Sequence, residues 1–316
     1  MSLATIKLGI SSCLIGEQVR WDGAHKLDRF LTDQLGRFVR YYPVCPEVEC
    51  GFGVPREPLC LAGDPHVSRL VTSRTKQDHT VRMLHWARRR VRELEGADLC
   101  GFIFKGKSPS CGIERVRIYN VKGVPVPHGM GIFARVFMEY FPLIPVEDDG
   151  RLHDPQLREN FIERVFVMKR WRDALRQHRR SRGELVRFHT GHKLLILSHS
   201  PRHHRIMGHL VAQATPISAL YDEYQKLLME ALRRKATPAK QVNVLQHIMG
   251  YFKKQLSPDA KQELLEIIAA YRQGHVPLIV PITLVNHYVR LCDIEYLKMQ
   301  RYLHPPSLQL QVGDLF

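Results

Sequence analysis

Three short runs of β-branched and aromatic residues constrain this chain more than anything else in it. The runs at 6–11, 38–44 and 99–104 each lead into a glycine-containing turn: Gly16 after the first, Gly51 and Gly53 after the second, Gly106 after the third. Between the second and third, Thr80–Glu95 carries a helical period. Short apolar runs alternating with helical patterns are the rhythm of βαβ units, so the class expected is α/β, with an N-terminal Rossmann-like parallel-sheet domain. Ligands of such sheets collect beyond the carboxyl ends of the strands. All three turns are therefore expected on one edge, however far apart they lie in the sequence.

The second half changes character. Phe161, Val165, Met168 and Leu175 repeat at helical spacing, as do Val242, Leu245, Met249, Phe252 and Leu256. Thr237-Pro238 and Ser257-Pro258 read as helix starts, a capping hydroxyl followed by proline at the first helical position, and Gly274 reads as a stop. A mainly α-helical C-terminal domain is expected. At roughly 150 residues per domain the 316 residues make two. The segment 142–151, with Glu147-Asp148-Asp149-Gly150, marks a boundary between domains at 1–150 and 151–316.

Three cysteines fall in the turns after the three runs. They are Cys13 in Ser11-Ser12-Cys13-Leu14-Ile15-Gly16, Cys45 in Cys45-Pro46-Glu47, and Cys111 in Lys107-Ser108-Pro109-Ser110-Cys111-Gly112. Their spacing fits neither a zinc finger nor a ferredoxin, whose ligands cluster within a few residues. Convergence at one sheet edge supplies what spacing does not. Seven cysteines, an odd number spread over a long chain, argue against a disulfide framework. The start lacks the basic and apolar pattern of a secretory signal, and the longest apolar stretch, 276–285, is about half a membrane span and holds Pro277 and Pro281. A cytoplasmic protein with reduced thiols is expected, and no membrane partner.

Soft thiolates converging in such a compartment suit an iron-sulfur cluster or zinc. Three thiolates on a cubane leave one iron without a protein ligand, and that makes it a Lewis acid rather than an electron carrier. The neighbours fit substrate chemistry: Glu47 can move protons and Ser108 can donate a hydrogen bond. Burial of small apolar cysteines is the plain alternative. Cys60, Cys100 and Cys292 lie in apolar contexts and read as packing.

Charge points to a partner. The net charge of +16 is uneven: residues 1–150 hold 21 basic and 17 acidic residues, a surplus of +4, whereas 151–316 hold 26 and 14, a surplus of +12. The densest part, 164–205, has 12 Lys or Arg against Asp173 and Glu184. Lys169, Arg170, Arg172, Arg176, Arg179 and Arg180, on a helix expected over 169–182 around Trp171, are the candidate RNA-binding residues, since phosphate contacts supply affinity with little sequence reading. A solvated helix face is the alternative. Six histidines between 189 and 209 include His189-x-x-His192, half a metal site without a third ligand at matching spacing.

Four motifs carry a resemblance. Cys-Leu-x-Gly-x-x-x-Arg-x-Asp-Gly at 13–23, Cys-Pro-Glu at 45–47, Gly-x-Pro-Arg at 53–56 and Lys-Gly-Lys-Ser-Pro-Ser-Cys-Gly at 105–112 resemble, in this order, the TudS family of thiouracil desulfidases. The stretches at 245–254 and 300–303 resemble the YbgA-like domain, and the fusion of the two resembles the RudS-type desulfidases of tRNA 4-thiouridine. The resemblance implies a 4Fe-4S cluster held by Cys13, Cys45 and Cys111, a proton-handling Glu47, a catalytic Ser108, a thiolated tRNA as partner, and uridine and released sulfide as products. Arg20, Asp22 and Arg56 lie beside two of the cysteines as possible substrate-binding residues, with an Arg20–Asp22 structural ion pair as the competing reading. Cys50 departs from the family, where an apolar residue is expected, and makes a rival ligand pair with Cys45. Two further readings stay open: a desulfidase for free thiolated uracils, and a non-enzymatic nucleic-acid-binding protein with a structural cluster or zinc.

Overall fold

The computed structural model describes residues 6–64, 68–120, 123–177, 180–214 and 216–306. The chain divides into two compact units, one of Met1–Phe161 with Val165–Lys169, the other of Ile162–Arg164 with Arg170–Phe316.

Strands β1 (Ile6–Ser11), β2 (Val39–Val44), β5 (Gly101–Phe104) and β8 (Val146–Asp148) form a parallel sheet in the order β2-β1-β5-β8. The three runs read from the sequence are its first three strands. Central β1 and β5 are mostly apolar and almost wholly buried, whereas β2 carries Pro43 and exposed positions, as an edge strand can. The chain leaves β1 for β2 on one side and later fills β5 on the other, so the crevice between their carboxyl ends is the switch point where such sheets bind ligands. A second sheet, not anticipated in the sequence, is built from β3 (Leu59–Ala62), β4 (Arg69–Thr72), β6 (Val116–Tyr119) and β7 (Pro125–Gly129), in the order β4-β3-β6-β7. Strand β8 lies inside the acidic segment read as a boundary.

Helices α1 (Pro46–Glu49), α2 (Thr80–Glu95) and α3 (Ile132–Tyr140) complete this unit. Met83, Trp86, Ala87, Val91 and Leu94 of α2 and Phe133 and Phe137 of α3 pack with Phe102 and Phe104 of β5 in one core. The ring of Phe102 lies so close over β1 that a Cβ at Gly9 would meet it at 2.1 Å, so this strand position needs glycine.

Helix α4 (Pro155–Gln177) is followed by α5 (Arg182–His199), α6 (Pro201–Ala212), α7 (Ile217–Leu232), α8 (Pro238–Met249), α9 (Pro258–Arg272), α10 (Ile279–Leu291) and the short α11 (Glu295–Lys298). The mainly α-helical character of the second half is as read. The single helix expected over 169–182 does not form: α4 ends at Gln177, and Ser181 caps α5 by accepting a hydrogen bond from the Glu184 amide. The physical reason is Ser181-x-x-Glu184, a capping-box sequence inside the basic run. The apolar repeat from Val242 to Leu256 is likewise interrupted, with α8 ending at Met249 and a short 3-10 turn at Gly250–Phe252. Ser257 caps α9 through the Ala260 amide, and Gly274, at φ +79°, follows that helix. Trp171, at the centre of the basic run, is core, stacked on Tyr224 and edge-on to Phe188.

Candidate active site

Beyond the carboxyl ends of β1, β2 and β5 lies a cavity of about 350 Å³, and Cys13, Cys45 and Cys111 all line it. Each is positioned by its own local structure. Cys13 sits in a 3-10 turn that Gly16, at φ +96°, terminates, and its carbonyl accepts from the Lys26 amide at 2.8 Å. Cys45 precedes α1, and its thiol points at the Val19 carbonyl 3.8 Å away. Cys111 lies in a loop fastened to the start of α3. The amides of Gly131, Ile132, Phe133 and Ala134, which a helix start leaves without partners, donate to the carbonyls of Gly112, Pro109, Ser110 and Ser110 at 2.7–3.2 Å.

None of the three is in a disulfide. Burial pushes the Cys13 thiol up to about 11, against the pull of Lys105, and raises Cys45 as well. Burial also raises Cys111 well above its ordinary range, although a hydrogen bond with Ser11 favours its thiolate. The free thiols therefore hold their protons, and binding a metal centre here releases them. Cys50 does not line the cavity, and it is buried as a member of the apolar cluster that also includes Met83 and Trp86. Among the described residues no group of three or more His, Cys, Asp or Glu side chains converges on a single-ion site.

Glu47 and Ser108 line the same cavity. The Glu47 carboxylate is held on both oxygens. Arg56 donates from Nε and Nη2 to Oε2 at 2.9 and 2.5 Å, and the buried Ser110 hydroxyl donates to Oε1 at 2.9 Å. Ser108 Oγ accepts from the amides of Ser110 and Cys111 at 3.2 and 3.1 Å, an arrangement that leaves its own proton to donate. Lys105 is tied to Asp149 at 2.9 Å, and the Gly106 amide donates to the same carboxylate.

Two comparisons cover the two halves of the chain. Residues 8–149 match the family 2-thiouracil desulfurase, and residues 193–306 match the family Protein of unknown function (DUF1722). The protein YbgA of Escherichia coli (strain K12) is 34% identical over 147 residues, 46% of this chain and 86% of its own. YbbK of Bacillus subtilis (strain 168) is 30% identical over 112 residues, 33% of this chain and 71% of its own. The chain belongs to the 2-thiouracil desulfurase family, fused to a YbgA-like domain. A solved structure of a 4Fe-4S-dependent thiouracil desulfidase, TudS, is 30% identical and covers 49% of this chain and 96% of its own, with a TM-score of 0.40.

In the desulfurase domain, the remaining positions singled out by sequence divide. Arg56 turns inward: besides Glu47 its guanidinium donates to the carbonyls of Gly53 and Val19 at 3.1 and 3.0 Å. Arg20 lines the cavity and lies 3.5 Å from Asp22, whose Oδ1 also accepts from the Ala24 amide, so Asp22 serves the turn. The sequence did not single out Ser110, Asp149, Ser11 or Trp21. Ser110 stood in the quoted motif beside Ser108, and nothing in a sequence tells which of two serines turns to a carboxylate 63 positions away.

Along the end of α4 and the start of α5 the basic run is not one exposed face. Lys169 is buried, Arg170 and Arg172 are half-buried, Arg176 and Arg180 are exposed, and Arg179 lies outside the described residues. Arg170 is lowered to about 10 by burial, with Arg301 nearby adding to the effect. His189 and His192 are buried on α5, their Nδ1 atoms engaged with Tyr224 Oη at 3.2 Å and the Phe188 carbonyl at 2.7 Å. His199 bridges Glu163 and the Arg234 carbonyl. These three histidines are packed into the fold. Among the described residues no helix is long and apolar enough to cross a membrane.

Proposed function

We propose that this protein removes sulfur from 4-thiouridine in tRNA, giving uridine and sulfide, with a 4Fe-4S cluster held by Cys13, Cys45 and Cys111. The observation that carries this reading is the opening of three thiols, from three separate strand-end loops, into one cavity that Glu47 and Ser108 also line. The donor set fits a cluster better than a single ion, because a cubane spreads three thiolates over three irons and does not ask them to meet at one point. When bound, it supplies an iron free of protein thiolate, a Lewis acid for the substrate's sulfur.

The chain's own groups do the rest. Glu47, held by Arg56 on Oε2 and by Ser110 on Oε1, keeps a free lone pair on Oε1 and takes a proton there from the attacking water. Ser108 donates its hydroxyl proton to the polar edge of the pyrimidine and orients C4 towards that water. The water oxygen becomes O4 of uridine, the carbon-sulfur bond breaks, and sulfur leaves as sulfide carrying the water's protons, with no net redox change. The surplus of +12 beyond residue 150 suits docking of a polyanion, with the exposed Arg176 and Arg180 among the contacts and base choice left to the cavity. A reducing cytosol suits thiols that must stay free.

The test is anaerobic reconstitution followed by incubation with thiolated tRNA, monitoring the near-ultraviolet thiouridine band and sulfide release. About four irons per chain, loss of the band and stoichiometric sulfide are expected; a persistent band with a fully loaded cluster overturns the reading. The family name favours a second reading, free thiolated uracil as substrate, and competition between tRNA and 4-thiouracil separates the two.

A further inference from the structure

The three thiols of the cavity differ in what reaches their sulfur. Cys45 Sγ faces an acceptor, the Val19 carbonyl at 3.8 Å. Cys13 lies in the field of the Lys105 ammonium, which Asp149 holds at 2.9 Å. Cys111 meets a hydroxyl: Ser11, 2% exposed, hydrogen-bonds its sulfur.

The direction of that bond follows from the sheet. Ser11 is the last residue of β1, and its Oγ accepts at 2.9 Å from the Lys105 amide, the first amide beyond the end of β5. A hydroxyl that accepts from an amide keeps its own proton to give, and here the sulfur takes it. Both ends are fixed. Strands β1 and β5 pair in register, with Ile10 opposite Ile103, and this holds the Lys105 amide against Ser11. The Cys111 amide donates to Ser108 Oγ at 3.1 Å and the Gly112 amide to the Ser108 carbonyl at 2.9 Å, and this holds the thiol. Ser11 and Cys111 are both buried, so little water competes for the bond.

We propose that Ser11 is a positioning residue for the iron-sulfur cluster, acting through Cys111: its hydroxyl donates to the Cys111 thiolate, so that this sulfur gives less electron density to iron. The proposal rests on the desulfidase reading for the cluster itself. A hydrogen bond to a thiolate is charge-assisted and draws negative charge off the sulfur. Hydrogen bonds to the sulfurs are among the features that set the reduction potential of such clusters. Withdrawn charge raises that potential, and the same withdrawal makes iron a stronger Lewis acid. The bond therefore serves a reaction with no net redox change, while a redox measurement reads it.

The experiment is anaerobic reconstitution of the full chain as wild type, Ser11→Ala, Ser11→Thr and Ser11→Val, followed by redox titration and resonance Raman spectroscopy of the loaded proteins. Thr and Val share a shape and differ in the hydroxyl, so packing cancels between them. In Ser11→Ala and Ser11→Val the midpoint potential is expected to shift negative and the iron-thiolate stretching frequency to rise, with Ser11→Thr at the wild-type values. Retention of iron against a chelator is expected to fall about tenfold in the two variants without a hydroxyl. Equal potentials in Ser11→Thr and Ser11→Val overturn the proposal. A loss confined to thermal stability, or failure of all three variants to take up the iron that the wild type takes, assigns Ser11 to the joint between β1 and β5 and overturns it as well. The two readings fail separately: equal potentials with full turnover of thiolated tRNA remove only the role of Ser11, the expected shifts without turnover remove only the desulfidase, and a wild type that loads no iron removes both.

Discussion

Arg56 and Glu47 meet at a single carboxylate oxygen: Nε and Nη2 of the guanidinium stand 2.9 and 2.5 Å from Oε2, and both side chains are largely buried. The Ser110 hydroxyl occupies the other oxygen, so the Glu47 carboxylate is oriented from two sides by residues nine and 63 positions away.

Arg56→Ala leaves that carboxylate buried without its cation, and breaking such a pair costs about 3 kcal/mol. Chemical denaturation is expected to show this loss, with kcat reduced about tenfold or more while iron content is kept. Arg56→Lys cannot reproduce the two-pronged contact and is expected to recover stability better than kcat. A variant with full kcat removes Arg56 from the positioning of Glu47.

Replacing Cys13, Cys45 or Cys111 with Ala is expected to abolish the iron chromophore after reconstitution, whereas Cys50→Ala retains about four irons per chain. Iron analysis on the four variants decides between Cys45 and Cys50 as the second ligand. Loss of iron in Cys50→Ala with retention in Cys45→Ala reverses the assignment.

Gly131→Ala places a Cβ 2.5 Å from the Ser110 carbonyl carbon, in the joint where α3 holds the Cys111 loop. Backbone cannot move aside as a side chain does, so a loss of about 1–3 kcal/mol is expected. Iron occupancy is expected to fall with it, because the displaced loop carries Cys111, the third of the proposed ligands. Thermal melts and iron content measured together check the coupling; a destabilised protein that still loads fully separates the joint from the site.

His189 and His192 are lowered to about 4 and about 3, in both cases chiefly by burial, from an ordinary value near 6.5. The unfolded chain takes up these protons before the folded one does. Stability is therefore full above about pH 6.5 and declines as pH falls towards 4, by about 1.4 kcal/mol per pH unit for each histidine. Denaturation across this range is expected to follow that slope, and His192→Phe, which keeps a ring against Phe188, is expected to flatten it by about half.

Arg176→Ala with Arg180→Ala removes two exposed cations of the basic run. Weaker tRNA binding is expected, with the log-log salt slope reduced by about one for each phosphate no longer neutralised and turnover of a free thiolated base unchanged. Equal loss on both substrates contradicts docking by the second domain.

Much of the site edge was legible in the sequence because it is written in central strands. β5 is apolar throughout, β1 is broken only by Lys7 and Ser11, and the glycine turns after them announce their ends. β8 was not legible, for a physical reason: its Glu147 and Asp148 are 4% and 7% exposed, and Glu147 is buried against Arg151 at 2.6 Å. A pattern that counts carboxylates as solvent reads such a strand as a linker. The second sheet escaped because its strands are mostly four residues long and alternate too briefly to show a period. The sequence left the place of Trp171 open, and its packing against Tyr224 and Phe188 puts it in the core. The partners of Glu47 lie in loops that only the folded sheet brings together.

The cavity's three thiols enter from three different strand ends, and Cys13 and Cys111 lie 98 positions apart. No short stretch of the chain offers more than one of them, unlike a compact finger or ferredoxin loop that can seize metal as soon as it is made. A cofactor held as proposed would bridge loops that meet only once the sheet has assembled, so its colour in solution would report that the first domain has finished folding.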